Sequence, residues 1–160
     1  MNKIEEIYQT NVMLLNQLKL DYKEWRHEPI LDFATDERVA RALGWTGIQS
    51  KSLFLALKGG GYSLYLTEKN ARLNTKAIKQ VLGKRPSICT NEDMTEQLGC
   101  LPGAVCPFGM PKHITIIVDK TLFEQREILY TPGDPKATIA LSGSALKTVL
   151  SVLPNTVIAI

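Results

Sequence analysis

Lys51-Ser52-Leu53-Phe54-Leu55-Ala56-Leu57-Lys58-Gly59-Gly60-Gly61-Tyr62-Ser63-Leu64-Tyr65-Leu66 is the stretch on which the reading of the fold turns. Two short apolar runs flank three consecutive glycines, the pattern of a β-hairpin whose turn needs the backbone freedom of glycine. Side chains alternate along a strand, so Lys51 shares a face with Leu53, Leu55 and Leu57, and that face is expected to point inward. An ammonium placed there either runs along its own stem to water or meets an anion or a carbonyl. Parity leaves both readings of Lys51 open.

Upstream of the hairpin, Ile4, Ile7, Tyr8, Val12, Leu15 and Leu18 recur at helical steps and predict an amphipathic helix over 3–19. A strand is expected over Tyr22 to Arg26, then a helix over 36–43 with Thr35 as N-cap and Gly44 as its left-handed stop. Downstream, Asn74 caps a helix over 74–82, Pro86 to Cys89 reads as a strand, and Thr90-Asn91-Glu92-Asp93 opens a helix that ends at Gly99. Ile114 to Val118 is a continuous apolar run, the mark of a strand covered on both faces. Strands near Glu127 to Tyr130 and Ala137 to Leu141, a helix from Ser142 to Leu150 and an extended end at Thr156 to Ile160 complete the chain. The sum is an α/β protein, a mixed sheet with helices around it, in a single domain over residues 1–160.

Composition narrows the function classes. At 160 residues, 44% apolar and 22% charged, the chain has the balance of an ordinary globular domain. No uncharged apolar run approaches the roughly 18 residues of a membrane span, and MNKIEEIYQT lacks the apolar stretch of a secretory signal. A cytoplasmic protein with no membrane partner is expected. Cys89, Cys100 and Cys106 have no zinc or redox spacing, and His27 and His113 are the only histidines, so neither a metal nor another cofactor is expected. The formal charge of +3 permits contact with a polyanion without requiring it.

Residues 98–109, LGCLPGAVCPFG, hold three glycines and two prolines between a helix and a buried strand. Gly103 permits close approach of a ligand or of another backbone, while Pro102 and Pro107 restrict the loop, so its amides can act as fixed donors. There is no G-x-S-x-G elbow and no nucleophile motif beside either histidine, which argues against a Ser/His/Asp triad. His27 reads as a satisfied polar residue. Cys106 has no evident partner base and reads as small-residue packing rather than as a nucleophile.

Lys51 with Leu53-Phe54-Leu55, followed some fifty residues later by Leu98-Gly99 and Gly103-Ala104-Val105-Cys106-Pro107-Phe108-Gly109, resembles the YbaK/ProX family of aminoacyl-tRNA editing domains. The likeness extends from His27-Glu28-Pro29 through Asp119 to Tyr130-Thr131-Pro132-Gly133 and the closing helix. It implies the YbaK and prolyl-tRNA-synthetase-associated fold, with a partly barrel-like mixed sheet. It also implies deacylation, in trans, of a mischarged tRNA, with the aminoacyl-tRNA 3′ end as substrate and an aminoacyl-tRNA synthetase as a candidate partner. Lys51 matches the family lysine at the terminal nucleotide and ester, and Gly103 to Pro107 matches the G-x-x-x-P loop. Lys51, Gly103, Ala104 and Val105 are then the expected catalytic positions, and Lys51, Cys106, Pro107, Phe108, Thr131 and Gly133 the expected substrate contacts. Ser52 stands where proline-system members often carry Asn or Thr, and Thr131 where alanine-specific members carry His. Other uses of such a chain are a non-catalytic module that binds tRNA ends or a synthetase, and a hydrolase of small aminoacyl esters.

Overall fold

The structure, a computed structural model, describes residues 2–160. Helix α1 (Lys3–Gln17) leads into strand β1 (Lys23–Arg26) and helix α2 (Phe33–Leu43). The hairpin is β2 (Ile48–Leu57) and β3 (Tyr62–Glu68), followed by α3 (Thr75–Leu82), β4 (Pro86–Ile88) and α4 (Asn91–Leu98). After the Gly/Pro loop come β5 (Thr115–Val118), a short 3-10 turn (Lys120–Glu124), β6 (Ile128–Tyr130), β7 (Ala137–Leu141), α5 (Gly143–Val152) and β8 (Val157–Ala159). The elements follow the sequence expectations with two notable shifts, the first being that β2 begins at Ile48 rather than Lys51, with Ile48 and Gln49 pairing with β6. α2 starts three residues earlier than 36, because the Asp32 carboxylate, not Thr35, accepts the orphan amide: Thr35 N–H donates to Asp32 Oδ1 at 2.8 Å.

The eight strands form one mixed sheet in the order β1-β7-β6-β2-β3-β5-β8, with β4 also paired to β2. Its two faces bury different layers. Phe54, Leu64, Leu66, Ile116 and Val118 point into the larger core with Leu15 of α1 and Leu146 of α5. Leu55, Tyr65 and Ile117 point the other way and are covered by Ile78 of α3. β5 is thus covered on both faces, as its unbroken apolar run requires.

β2 is the longest strand and has divided neighbours on one edge. β3 pairs with it from Ser50 to Ala56 on one side. On the other side β6 takes only Ile48 and Gln49, and β4 takes only Leu55 to Leu57. Residues 50–54 therefore border a break in the sheet. Lys69 N–H donates to Gln49 O and Leu57 N–H to Gly61 O, so odd-numbered residues of β2 turn their amides and carbonyls toward β3. Even-numbered ones face the other edge: Ile48 N–H donates to Glu127 O, and Phe54 O accepts from Cys89 N–H. By this alternation the N–H and C=O of Ser52 face the break, where no strand pairs with them.

α1 is tied to the body by a buried polar group. Asn11, 1% exposed, donates from Nδ2 to Ile7 O at 2.9 Å and accepts at Oδ1 from the Tyr130 hydroxyl at 3.1 Å. The same side chain meets Cys106 Sγ at 3.2 Å. Replacing Asn11 by Ala strands the Tyr130 hydroxyl, and we expect a loss of about 1–3 kcal/mol in urea unfolding, as for a buried donor left without an acceptor. Adding Tyr130→Phe to that variant is expected to recover part of the loss.

Candidate active site at the break in the sheet

A cavity of about 440 Å³ opens at the break in β2, within the usual size range for small-molecule sites. Its wall includes Ser50 to Phe54 of β2, Gly103 and Val105 of the Gly/Pro loop, Tyr130 and Thr131 at the end of β6, and Thr138 of β7. Asp32, Phe33 and Asp36 of the α2 end, with Trp45 and Lys69, make up much of the rest. Four of the expected positions, Lys51, Gly103, Val105 and Thr131, thus meet around one hollow.

The other expected positions do not line it. Ala104 is 1% exposed and turned inward by its own tight turn, with its N–H donating to Leu101 O at 3.0 Å. Cys106 and Phe108 belong to the large core, where the Phe108 ring meets the edge of Tyr130 at 5.0 Å between centroids. Pro107 is buried beside them. Gly133 faces α1, where an added Cβ would lie 2.4 Å from Ile7 Cγ2. Cys106, Pro107 and Phe108 at the apolar end of the loop, and Gly133 after β6, thus pack against the body instead of lining this hollow.

Lys51 lies on the α3 face of the sheet, as its parity with Leu55 requires. Beside Lys51 that layer gives way to the turn leading into α3, and its ammonium donates to the carbonyl of Ala71 in that turn. No carboxylate pairs with it among the described residues. Lys69, the other cation of the wall, is neutralised: it lies 2.8 Å from Asp36, donates to Gln49 Oε1 at 3.1 Å and sits 4.3 Å above the Phe33 ring centroid. Lys51 is thus the cavity cation with ammonium donors to spare.

Among the described residues the backbone N–H groups of Gly103 and Val105 find no protein acceptor. With Ser52 they place three amides without protein partners in residues of the wall. Gly103 has φ +82, and a Cβ there would fall 2.3 Å from the carbonyl oxygen of Leu31. The close approach that glycine permits is to the Leu31 backbone, which clamps the loop against the entrance of α2.

Sequence reasoning missed Asp36, Lys69, Phe33 and Thr138, since no spacing links them, whereas Trp45 is one of the aromatic residues whose type alone suits stacking on a base. Thr138 has a definite partner. The His27 ring bonds the Glu28 carbonyl through Nδ1 at 2.7 Å and the Thr138 hydroxyl through Nε2 at 2.8 Å. A carbonyl only accepts, so Nδ1 carries the proton, and in the neutral ring Nε2 accepts from Thr138. His27 is satisfied in this way and orients a wall hydroxyl.

The wall offers no strong base or thiolate. Burial and the bond to Asp93 push the Cys89 thiol up to about 11, and burial pushes Cys106 to about 12. The backbone and side-chain hydrogen bonds from Thr35 hold the Asp32 carboxyl below the usual carboxylate range, and Asp36 is paired with Lys69. What remains is a set of fixed donors and one cation, suited to polarising a carbonyl and holding an oxyanion.

Fold and cavity define a mixed α/β domain with a hollow at an interrupted strand edge. The chain belongs to the aminoacyl-tRNA editing domain family, whose model matches residues 30–149. It is 27% identical over 133 residues to the multifunctional Ser/Thr-tRNA deacylase ProXp-y of Escherichia coli strain K12, covering 79% of this chain and 77% of that one. It is 24% identical over 140 residues to the uncharacterised protein YwhH of Bacillus subtilis, covering 84% and 89%. Among solved structures, the hypothetical protein APE2540 superimposes with a TM-score of 0.76 at 22% identity, covering 99% of this chain and 97% of that one. A candidate trans-editing enzyme for prolyl tRNA synthetase gives 0.68 at 23% identity, covering 86% and 85%. No helix of the described residues is long and apolar enough to cross a membrane.

Gly103→Ala tests the clamp. The added methyl meets the Leu31 carbonyl in a left-handed backbone position, and a loss of about 2 kcal/mol or more is expected in chemical denaturation. Gly59→Ala, also at positive φ but with nothing within 4 Å of its Cβ, separates backbone strain from the clash.

Proposed function

We propose that this protein hydrolyses, in trans, the ester joining a wrong amino acid to the 3′-terminal adenosine of a tRNA. The observation that carries the reading is the meeting of Lys51 with Gly103 and Val105 around one cavity, in a chain of the editing family. An aminoacyl ester is already activated, so the protein's task is to hold it and to stabilise the charge that develops as water attacks. The amides of Ser52, Gly103 and Val105 are the donors for the developing oxyanion. Lys51 keeps Ala71 with one ammonium proton and offers the others to the ester and its ribose. With the carboxylates committed and the thiols neutral, no side chain of the wall takes the proton of the attacking water. That proton leaves to a group of the substrate or to solvent.

Discrimination of one methylene is worth only about 1–3 kcal/mol to a synthetase, which is why a second sieve is needed. The activity in the name of the ProXp-y relative supports placing seryl- and threonyl-tRNA first among the substrates, with alanyl- and cysteinyl-tRNA beside them. Thr131, Thr138 and Ser50 give this cavity hydroxyls able to meet such side chains.

The test is single-turnover deacylation of that panel. Lys51→Ala is expected to lower the rate about 10- to 100-fold, the worth of one charge-assisted hydrogen bond. An unchanged rate, with the fold intact by circular dichroism, overturns the role of Lys51. Ser52→Pro removes the edge amide without breaking a bond to β3 and is expected to cost about 100-fold, as for one oxyanion donor, provided circular dichroism and the urea midpoint show the strand intact. Ser52→Ala keeps that amide and is expected to stay near wild type. Binding across the panel without turnover would instead mark a non-catalytic module.

A further inference from the structure

The formal charge of +3 conceals a strong polarity. Between residues 51 and 90 the chain has eight basic residues and one acidic one, whereas the rest has eleven basic against fifteen acidic. These forty residues fold together as β2, β3, α3 and β4. We propose that the exposed face made by Arg72, Lys76, Lys79, Lys84, Arg85 and Lys58 docks the phosphate backbone of the acceptor-stem duplex adjoining the aminoacylated end. This rests on the reading of the cavity as a deacylase site and names the surface that delivers the substrate to it.

The six side chains are exposed, and none forms an ion pair among the described residues. Outside this segment Lys23, Arg26 and Arg38 are paired with Glu127, Asp134 and Glu28, and the other basic residues belong to a part of the chain in which acidic residues outnumber basic ones. A face that keeps its like charges together and unpaired is strained by their repulsion and is relieved by a polyanion. Its position suits the task. It begins at the cavity, where the Lys51 ammonium holds Ala71 next to Arg72. It follows α3, about 12 Å long at 1.5 Å per residue, to Lys84 and Arg85. There Lys58 N–H donates to Arg85 O at 2.9 Å and Lys84 Nζ to Gly60 O at 2.9 Å, which brings the far end of the hairpin into the same surface.

The chemistry favours a nucleic-acid backbone over a lipid surface. A membrane-seeking helix presents a broad free apolar face, but in α3 Ile78 is fully buried against Leu55 and Tyr65, which leaves Val81 as its one exposed large apolar side chain. Mostly lysines on flexible stems, the face suits phosphate contact without base reading.

The experiment uses the full chain with total uncharged tRNA, measuring fluorescence anisotropy between 50 and 200 mM KCl, about the range in which phosphate contacts show their salt dependence. Lys76→Gln/Lys79→Gln is expected to weaken binding about tenfold and to flatten the slope of log Kd against log salt by about 1.5, as for two phosphate contacts. The control Lys112→Gln/Lys147→Gln removes two exposed charges outside the face and is expected to leave the slope unchanged. Deacylation of an aminoacylated CCA trinucleotide, which lacks the stem, is expected to be equal for wild type and the α3 variant. A slope equally affected by both variants, or by neither, overturns the docking face while leaving the deacylase reading intact. Binding of phosphatidylglycerol vesicles with no salt-dependent binding of tRNA also overturns it. If wild type deacylates nothing in the panel but the α3 variant alone loses its slope, the face stands and the catalytic reading fails.

Discussion

The structure depends on a broken edge. A strand interior to a sheet satisfies its amides and carbonyls on both sides, and β2 does so at its two ends but not in its middle. β6 and β4 share the same edge and leave residues 50–54 between them. That break admits a cavity into the middle of a sheet without unfolding it. It also presents main-chain polar groups held in place by seven pairings to β3 on the opposite edge. A donor fixed in this way needs no reorganisation when charge appears beside it.

The surrounding elements keep the break open and shaped. The Gly/Pro loop is pinned at one end by Phe108 and Cys106 in the core and at the other by Gly103 against Leu31, so that Val105 between them faces the hollow. The buried amide of Asn11 links α1 to the loop through Cys106 and to β6 through Tyr130, a wall residue. These are packing roles for residues that a motif comparison would place in the site. Most of the matched motif supports the site from behind, and few of its residues touch the cavity.

Charge divides the molecule in a second way. The segment that holds the hairpin and α3 is strongly net positive while the rest of the chain is net negative, and the same segment supplies Lys51. Cavity and basic face therefore share one structural unit, with the β3 to α3 turn as their common border. Net charge, being a sum, does not reveal this arrangement.

Much of the fold was legible because it rests on local physics. The triple glycine, the caps at Asn74, Thr90 and Ser142, and the left-handed stops at Gly44 and Gly99 act within a few residues, so their elements lie where the sequence places them. The cap of α2 was misplaced by three residues because Asp32 and Thr35 both offer a capping oxygen, and only the formed turn selects between them. Of the site, the sequence alone singled out Lys51 and a constrained loop. Which loop residues reach the cavity depended on core packing, which drew Cys106 and Phe108 inward. That Asp36 neutralises Lys69, that His27 orients Thr138 and that Ser52 lies at an unpaired edge depended on contacts between residues 33 and 111 positions apart in the chain, or on strand register. Short-range hydrogen bonding is written into neighbouring residues, whereas the choice of which polar groups remain without partners is made only when distant strands compete for the same edge.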